Sequence, residues 1–348
     1  MKSFKEATRM IRFLVSVFIL CFALEGVAKI VYPDFDQSML RLGLHLEKEG
    51  PHCNIKEKQQ YEMRNQNLIS FFREMYYRNI AKTAEEEEGC LRIPRIVHQI
   101  WLGSPVPEKF RNWMDTWVRL EGWEYKLWTE NEISQLFLYN QALYEESTNF
   151  GEKSDIVRLE VLSQFGGVYV DVDLECLRPE IFEELHCSFD FYIGFEPLEH
   201  GYTSKFNMFK VCNAIMASTP NHPLIKDMIV NLRANYFAYR NCCTAIHRTG
   251  PSYLTRIICE YEQSGAHCNR NMYLPCTFFY PFSEPEARYL YQYRAVPIWP
   301  ETAGIHYWCG SWWEKPKREP AITIETIYPE QSIYQSDEFN INNGGQNE

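Results

Sequence analysis

The sequence predicts an α/β fold, and three observations point to it. Between about Ile93 and Trp313, short apolar runs of strand length alternate with segments whose apolar residues recur at helical spacing. Glycine and proline separate these runs, as expected at the turns of such a fold. Hydrophobic residues make up 45% of the chain and aromatic residues 15%, so a large core can be buried and wholesale disorder is excluded.

The first elements of this region are predicted as strand, helix and strand. The run Ile96–Trp101 is rich in β-branched residues and is followed by Gly103 and Pro105, which predicts a strand. The segment Trp113–Leu120 is predicted as a helix and Tyr125–Trp128 as the next strand. This order is the alternation expected of an α/β domain.

The clearest helix is predicted to begin after Ser154, a good N-cap residue. Its apolar residues recur at helical spacing until a Gly-Gly pair stops it. The apolar strand Val168–Val170 then continues directly into Asp171 and Asp173. Because residues two apart on a strand point to the same face, the two carboxylates are predicted to lie side by side on this strand.

The N-terminus carries a predicted membrane-directed segment. Residues 1–12 are short and cationic, and residues 13–31 are mostly apolar. The apolar run is short for a membrane span of roughly 20 residues, and small residues near Ala28 could form a cleavage site. A signal anchor would leave the N-terminus in the cytoplasm and export the rest, into the Golgi or ER lumen of a eukaryotic cell. A cleaved signal peptide would instead give a secreted protein.

The rest of the chain divides into three predicted parts. Residues 32–90 are polar and charged, end in the acidic run Glu85–Glu88, and are predicted to form a stem or spacer. Residues 91–320 are predicted to form the catalytic domain. Residues 321–348 are rich in Gln, Asn, Gly and Ser and are predicted to be a flexible tail.

Charge and cysteine content narrow the classes of function. The net charge of −11 argues against broad nucleic-acid affinity, because phosphate contacts need clustered Lys and Arg. The 12 cysteines fit an oxidising compartment better than a cytosol. They lack the CxxC spacing of a zinc site, so buried thiols or structural disulfides are predicted, and the pairing stays open.

Asp171 and Asp173 predict a site for a divalent cation. Two carboxylates this close together repel each other unless a cation lies beside them. Mn²⁺ and Mg²⁺ favour carboxylate and phosphate oxygens, and Mg²⁺ commonly takes one or two protein carboxylates while substrate phosphates complete its shell. A cation held here would neutralise the charge that develops on a nucleoside-diphosphate leaving group. Two surface aspartates in a turn are the alternative, but this pair follows a buried apolar strand.

Several blocks of the sequence, in order along the chain, resemble one known family. The family is glycosyltransferase family 32, which includes fungal initiating α-1,6-mannosyltransferases and inositol-phosphoceramide mannosyltransferases. The stretch that resembles its DXD region runs from Ser154-Asp155-x-x-Arg158 to Gly166-Gly167-x-Tyr169-x-Asp171-x-Asp173. Residues 93–101, 213–223, 249–251 and 306–312 resemble, in turn, its first strand, its middle block, its Thr-Gly-Pro turn and its C-terminal His and Ser-Trp segment.

This resemblance implies a GT-A fold, a nucleotide-sugar-binding, Rossmann-like mixed sheet flanked by helices. It implies transfer of a hexose, with retention of configuration, from GDP-mannose or a UDP-hexose to a glycan, glycolipid or protein, with Mn²⁺ or Mg²⁺ as cofactor. It also implies residue roles: catalytic Asp155, Arg158, Asp171 and Asp173; metal-binding Asp171, Asp173 and His306; donor-binding Trp101, Asp155, Arg158, Tyr169, Asn213, Ser311 and Trp312. Glu196 is a further carboxylate that could lie on the acceptor side.

Two other functions stay open. A phosphohydrolase of the haloacid-dehalogenase type also binds Mg²⁺ through an Asp-x-Asp after an apolar strand, but it needs Thr or Val where this chain has Leu174. A non-catalytic sugar-binding protein could have kept the fold, since fold alone does not establish activity. A phosphatase assay separates the first from the transferase, and donor turnover with Mn²⁺ separates the second.

Overall fold

A computed structural model describes most of the chain after the N-terminal segment. The described residues are 30–41, 55–83, 91–202, 208–241, 244–265, 268–284, 286–287, 295–310 and 325–327. The predicted cationic segment, nearly all of the predicted anchor or signal peptide, and most of the predicted tail lie outside them, as do Ser311 and Trp312. Within these ranges, no helix is both long and apolar enough to cross a membrane.

The described strands form one large mixed sheet and two small ones. The large sheet has the order β2-β1-β3-β6-β5-β7; β6 runs antiparallel to both of its neighbours, and the other pairs are parallel. β4 pairs antiparallel with β9, and β8 pairs parallel with β10. The strands are β1 Ile96–Ile100, β2 Glu124–Trp128, β3 Gly167–Val170, β4 Leu174–Cys176, β5 Phe191–Phe195, β6 Val211–Ser218, β7 Asn271–Leu274, β8 Ala295–Pro297, β9 Gly304–His306 and β10 Glu325–Ile327.

The first two described helices precede β1, and the others lie between strands along the chain. They are α1 Phe35–Met39, α2 Ile55–Thr83, α3 Arg111–Val118, α4 Glu130–Ile133, α5 Gln141–Glu146, α6 Phe150–Phe165, α7 Pro179–Ser188, α8 Glu199–Tyr202, α9 Pro223–Tyr239, α10 Ala245–Arg248 and α11 Pro251–Ser264. Helix α6 packs against β1, β3 and β6, α11 packs against β6, and α2 packs against β7. All residues of β3, β5 and β6 are buried, as expected for strands covered on both faces. The predicted mixed α/β fold is confirmed.

Local sequence patterns located the first elements well. The predicted strand Ile96–Trp101 is β1, the predicted helix Trp113–Leu120 is α3, and the predicted strand Tyr125–Trp128 is β2. The predicted start of the clearest helix, after Ser154, was wrong. Helix α6 begins at Phe150, because the Asn149 side chain caps it by accepting a hydrogen bond of 3.1 Å from the backbone of Glu152.

Two glycines join α6 to β3. Gly166 ends α6 with a φ of +65°, a conformation that side chains other than glycine rarely adopt. A Cβ on Gly167 would lie 2.4 Å from the backbone oxygen of Ile96, so only glycine lets β3 approach β1 this closely. The Gly-Gly pair therefore sets where β3 begins beside β1, and Asp171 follows at the end of β3.

Part of the predicted stem or spacer contributes to the core of the domain. Phe35 of α1 and Phe72 and Tyr76 of α2 are fully buried in the main hydrophobic cluster. The Phe72 ring lies 4.9 Å from that of Phe195 and 5.2 Å from that of Tyr273, so α2 is packed on the sheet. A few large aromatic residues achieve this burial on an otherwise polar helix, which explains why its apolar periodicity is weak.

Most of the described cysteines carry free thiols. They include Cys176, Cys212, Cys259, Cys268, Cys276 and Cys309. Burial raises the pKa of most of these thiols, which keeps them protonated and unreactive. For this part of the chain the prediction of buried thiols fits better than that of disulfides.

Candidate active site

The Asp-x-Asp motif lies in the turn between β3 and β4. The prediction that it continues the strand is wrong: β3 ends at Val170, and the backbone N–H of Leu174 closes the turn on the Asp171 carbonyl at 3.1 Å. The two carboxylates still converge, because β4 pairs with β9 and the register sets Leu174 opposite His306. His306 Nε2 is 3.1 Å from Asp173 Oδ1 and 3.8 Å from Asp171 Oδ2.

This cluster suits a divalent cation. Asp171, Asp173 and His306 each offer one ligand atom, and the three atoms lie within 4.8 Å of one another. Two carboxylates with one imidazole form a donor set that suits Mn²⁺, whereas Mg²⁺ prefers oxygen ligands alone. The Nδ1 atom of His306 is buried and has no hydrogen-bond partner among the described residues, so the polar contacts seen for this ring are those of Nε2 with the carboxylates.

The pKa values show how this cluster would respond to a positive charge. Burial alone would lower the pKa of His306, but the carboxylates of Asp173 and Asp171 outweigh it and raise the pKa. Burial and the neighbouring Asp173 raise the pKa of Asp171 despite the opposing charge of Arg158. Asp173 has a lowered pKa, because His306 and the Cys309 backbone outweigh burial. The cluster thus attracts a proton onto its imidazole, and a metal ion would replace that proton.

A second charged group comes from helix α6. The Arg158 guanidinium lies 3.2 Å from Asp155 Oδ1 and 3.6 Å from Asp171 Oδ1, and it packs 4.3 Å above the Tyr169 ring. It also donates to the backbone carbonyl of Asn213. Arg158 therefore connects the helix to the cluster of Asp171, Asp173 and His306 and carries a buried positive charge beside it.

Asp155 is held from both sides. Thr249 Oγ1 donates to it at 2.6 Å, and Asn213 Nδ2 donates to its other oxygen at 2.7 Å. Burial raises the pKa of Asp155 to about 6, although Arg158 and these hydrogen bonds oppose the shift. Thr249, which the sequence suggested only as part of a turn, is thus a positioning residue for the Asp155 carboxylate.

Tyr169 and Trp101 complete the described set of predicted residues. The Tyr169 hydroxyl donates to Asp171 Oδ1 at 2.6 Å, which orients that carboxylate. Trp101 directly follows β1, is half-buried, and donates from its indole nitrogen to Ser104 Oγ at 3.2 Å. The indole lines the cavity and contacts the ring of Phe110, with 5.1 Å between the ring centroids.

One cavity of about 400 Å³ brings these residues together, a size typical of small-molecule sites. Its walls include every predicted site residue that lies in the described ranges: Trp101, Asp155, Arg158, Tyr169, Asp171, Asp173, Asn213 and His306. They come from α6, β3, β6 and β9 and from the residues that directly follow β1 and β3, so residues far apart in sequence meet at one edge of the sheet.

The cavity also contains polar residues that the sequence analysis did not predict. His200, Lys210 and Trp308 line it together with Glu196. The only local signal was Lys210, a charged residue directly before the apolar run of β6. His200 and Trp308 lie in segments with no periodic pattern and reach the cavity through tertiary packing.

Comparisons with known proteins agree with the predicted resemblance. Residues 107–187 match the family model described as "Glycosyltransferase sugar-binding region containing DXD motif". That range includes Asp155, Arg158, Asp171 and Asp173, whereas His306 lies beyond it. The match confirms the predicted resemblance to the DXD-containing glycosyltransferases and supports the prediction of a glycosyltransferase enzyme.

Curated relatives point the same way. The chain is 28% identical over 180 residues to inositol phosphoceramide mannosyltransferase 1 of Schizosaccharomyces pombe, with 49% of this chain and 52% of that protein covered. It is 26% identical over 178 residues to a mannosyl phosphorylinositol ceramide synthase of Saccharomyces cerevisiae, with 49% and 43% covered. The chain spans about half the length of the curated relatives it matches.

Among solved structures, the PaToxG glycosyltransferase aligns with a TM-score of 0.40 and 18% identity, covering 59% of this chain and 81% of that chain.

Proposed function

We propose that this chain, a relative of the DXD-containing glycosyltransferases, is a metal-dependent hexosyltransferase of GT-A type. It moves a hexose from a nucleoside-diphosphate donor to an acceptor hydroxyl. The observation that carries the proposal is the convergence of Asp171, Asp173 and His306 in the cavity that also contains Arg158. A pair of carboxylates, an imidazole and a guanidinium together match a diphosphate that arrives with a divalent cation.

Each residue has a proposed task. Asp171, Asp173 and His306 hold the cation, which when bound stabilises the negative charge of the leaving diphosphate. Arg158 donates hydrogen bonds to the phosphate oxygens, and Asp155 accepts from the hydroxyls of the donor sugar. Trp101 stacks on the nucleotide base, and Asn213 and Thr249 keep Asp155 in place. Ser311 and Trp312 are proposed to close over the diphosphate, and they lie outside the described residues.

The proposed reaction retains the anomeric configuration. The acceptor oxygen forms a bond to the anomeric carbon on the face from which the diphosphate departs. The bond between that carbon and the diphosphate oxygen breaks, and the acceptor's proton passes to the departing diphosphate. The protein's contribution is therefore orientation and charge stabilisation, without a covalent intermediate.

Donor and acceptor are proposed from the relatives. The two curated relatives reported above are named as an inositol phosphoceramide mannosyltransferase and a mannosyl phosphorylinositol ceramide synthase. GDP-mannose is therefore the first donor to test, ahead of UDP-hexoses, and a glycolipid is the first acceptor, ahead of glycans and proteins. Attachment to a membrane through residues 13–31, with Mn²⁺ preferred over Mg²⁺, completes the proposal.

The test is consumption of nucleotide sugars by the full chain, with Mn²⁺ or with EDTA, beside Asp173→Ala. We expect metal-dependent turnover that falls on the order of 100-fold or more in the variant, because several kcal/mol of charge stabilisation are lost. The matched control is Asp115→Asn, an exposed aspartate of α3 that pairs with Arg119 on the surface.

Two outcomes would contradict the proposal. Folded wild-type protein that consumes no donor at any metal concentration would favour a non-catalytic sugar-binding protein. Cleavage of simple phosphomonoesters at a rate above that of any nucleotide sugar would favour the phosphohydrolase.

A further inference from the structure

A second polar cluster lines the same cavity and has no role in donor binding as proposed above. Glu196, at the end of β5, lies 3.1 Å from Lys210 Nζ and 3.0 Å from His200 Nδ1. The side chains of Glu196 and Lys210 are only 10% and 9% exposed, yet both face the cavity. This cluster therefore places a carboxylate and an ammonium, nearly dehydrated, in the wall of a binding site.

Stability alone does not account for this pair. Removing two charges from water costs several kcal/mol per ion, and apolar residues of similar size commonly serve the fold as well or better. Glu196 is also kept ionised, because Lys210 and His200 outweigh the effect of burial and lower its pKa. A charged pair retained at the surface of a cavity is more readily explained by a ligand than by packing.

The pair has unused bonding capacity. Both contacts of Glu196 are made to Oε2, and within the described ranges Oε1 has no polar partner. Lys210 has three N–H donors and directs one contact to Glu196. The cluster can therefore offer an acceptor and donors to a ligand without breaking its own ion pair.

Its position relative to the metal cluster is set by one indole. The Trp308 ring lies 4.2 Å from the ring of His306 and 4.5 Å from that of His200, as centroid distances. A molecule bound at Glu196 and Lys210 would thus lie beside the donor's reacting end.

We propose that Glu196 and Lys210 form the acceptor subsite and bind adjacent hydroxyls of a neutral polyhydroxylated ring, a sugar or a cyclitol. A hydroxyl both donates and accepts, so neighbouring hydroxyls match a carboxylate beside an ammonium, whereas an anion would be repelled by Glu196 and a cation by Lys210. The inference rests on the proposed function and deepens it, since the bound ring carries the hydroxyl that is glycosylated.

The test separates ring binding from catalysis. Saturation-transfer NMR on the full chain with Mn²⁺ uses methyl α-D-mannopyranoside and myo-inositol as separate probes. We expect wild-type protein to bind at least one of these rings. Glu196→Gln should bind the same ring at least about tenfold more weakly, because a buried polar group loses its partner. The double variant Glu196→Gln with Lys210→Met removes both charges, so no unpaired ion is left to disturb the fold. The double variant should lose ring binding to the same extent as Glu196→Gln.

The matched control is Glu301→Gln. Glu301 is a buried carboxylate outside the cavity that accepts a hydrogen bond of 2.6 Å from Thr277, and its replacement should leave ring binding unchanged. With a donor present, the ratio of transfer to donor hydrolysis should fall about tenfold in the Glu196 variant but not in this control.

Every result of this experiment decides something. Absence of binding by wild-type protein for both rings, or full binding by the double variant, overturns the subsite. Binding that Glu196→Gln abolishes, from a protein that consumes no nucleotide sugar, supports the subsite while the proposed transferase function fails. The preferred probe distinguishes a sugar acceptor from a cyclitol acceptor.

Discussion

Two clusters of charged side chains in this protein differ in how far the chain itself neutralises their carboxylates. At the N-terminal flank, the Arg41 guanidinium lies between Glu199 and Glu286, so the chain itself supplies the cation. In the cavity, Asp171 and Asp173 lie beside His306, and the neighbouring Arg158 is shared between Asp171 and Asp155. A proton or a ligand is therefore needed to complete the neutralisation. The comparison teaches that adjacent carboxylates indicate a cation-binding site when the chain neutralises them only in part.

The flanking cluster connects the N-terminal segment to the cavity wall. Arg41 follows α1 and is buried, with 2.6 Å between its Nη2 and Glu199 Oε1. Glu286 in turn accepts hydrogen bonds from the backbone and hydroxyl of Ser283. The next residue, Glu284, donates from its backbone to His200, one of the residues that line the cavity. A residue of the predicted spacer thus supports the active-site wall.

The largest expected effect on stability comes from removing the cation of the flanking cluster. Arg41→Met removes a buried cation that pairs with two half-buried carboxylates, Glu199 and Glu286, and we expect the free energy of unfolding to fall by about 3 kcal/mol. Urea unfolding, followed by circular dichroism, measures this loss.

A surface ion pair on the same flank provides the control. Arg73 of α2 pairs with Asp36 of α1 at 2.6 Å, but both side chains are partly exposed to solvent, so Arg73→Met should cost only about 0 to 1 kcal/mol. Equal losses in the Arg41 and Arg73 variants would contradict the distinction between a buried and a surface cluster.

The second prediction concerns the cavity cluster, where the missing cation is added. Mn²⁺ at about 100 times its dissociation constant should stabilise wild-type protein by about 2.7 kcal/mol, since it binds the folded state only. Asp171→Asn should lose this gain. In EDTA the same variant should be more stable than wild type, because burial and Asp173 raise the pKa of the Asp171 carboxyl and make its charged form unfavourable.

Thermal unfolding with Mn²⁺ and with EDTA measures both effects. Asp115→Asn, on the exposed face of α3, should respond to Mn²⁺ as the wild type does. Stabilisation of Asp171→Asn by Mn²⁺ to the same extent as wild type would place the metal site elsewhere.

How far the sequence predicted the fold depends on the range of the interactions involved. The strand β1 and the helix α6 have local patterns, a β-branched run and a helical repeat ended by Gly-Gly. The antiparallel insertion of β6 between β3 and β5 has no such local pattern, because strand order is set by packing between distant segments. Burial of α2 was missed for a related reason: its few large aromatic residues make a weak periodic signal.

How far the sequence predicted the candidate site also depends on the range of the interactions. Asp155, Arg158, Asp171 and Asp173 fall within one contiguous block and were predicted from it and from the resemblance. His306 was predicted through the resemblance only, since the pairing of β9 with β4 joins residues more than a hundred positions apart. The partners of Glu196 were not predicted, because no spacing rule links residues brought together by tertiary packing.

The smallest expected effect tests a buried carboxylate that belongs to neither cluster. Glu160 of α6 is buried, and its hydrogen-bond partner is the backbone N–H of Asn140 at 3.3 Å; the described ranges place no cation beside it. Burial raises its pKa from the ordinary value of 4.5 to about 7, since the backbone hydrogen bonds only partly oppose it. If an unneutralised carboxylate lowers stability, this residue should show it in a pH titration.

The folded state holds the Glu160 proton more tightly than the unfolded state, so the group's favourable contribution is complete below about pH 4.5 and is lost as pH rises to about 7. Glu160→Gln removes this dependence and should be more stable than wild type by about 1 to 2 kcal/mol at pH 8, with little difference at pH 4.5. Urea unfolding of both proteins at the two pH values measures it. A variant less stable than wild type at pH 8 would mean that the ionised carboxylate has a cationic partner, and Glu160 would then resemble Glu199 and Glu286 rather than Asp171 and Asp173.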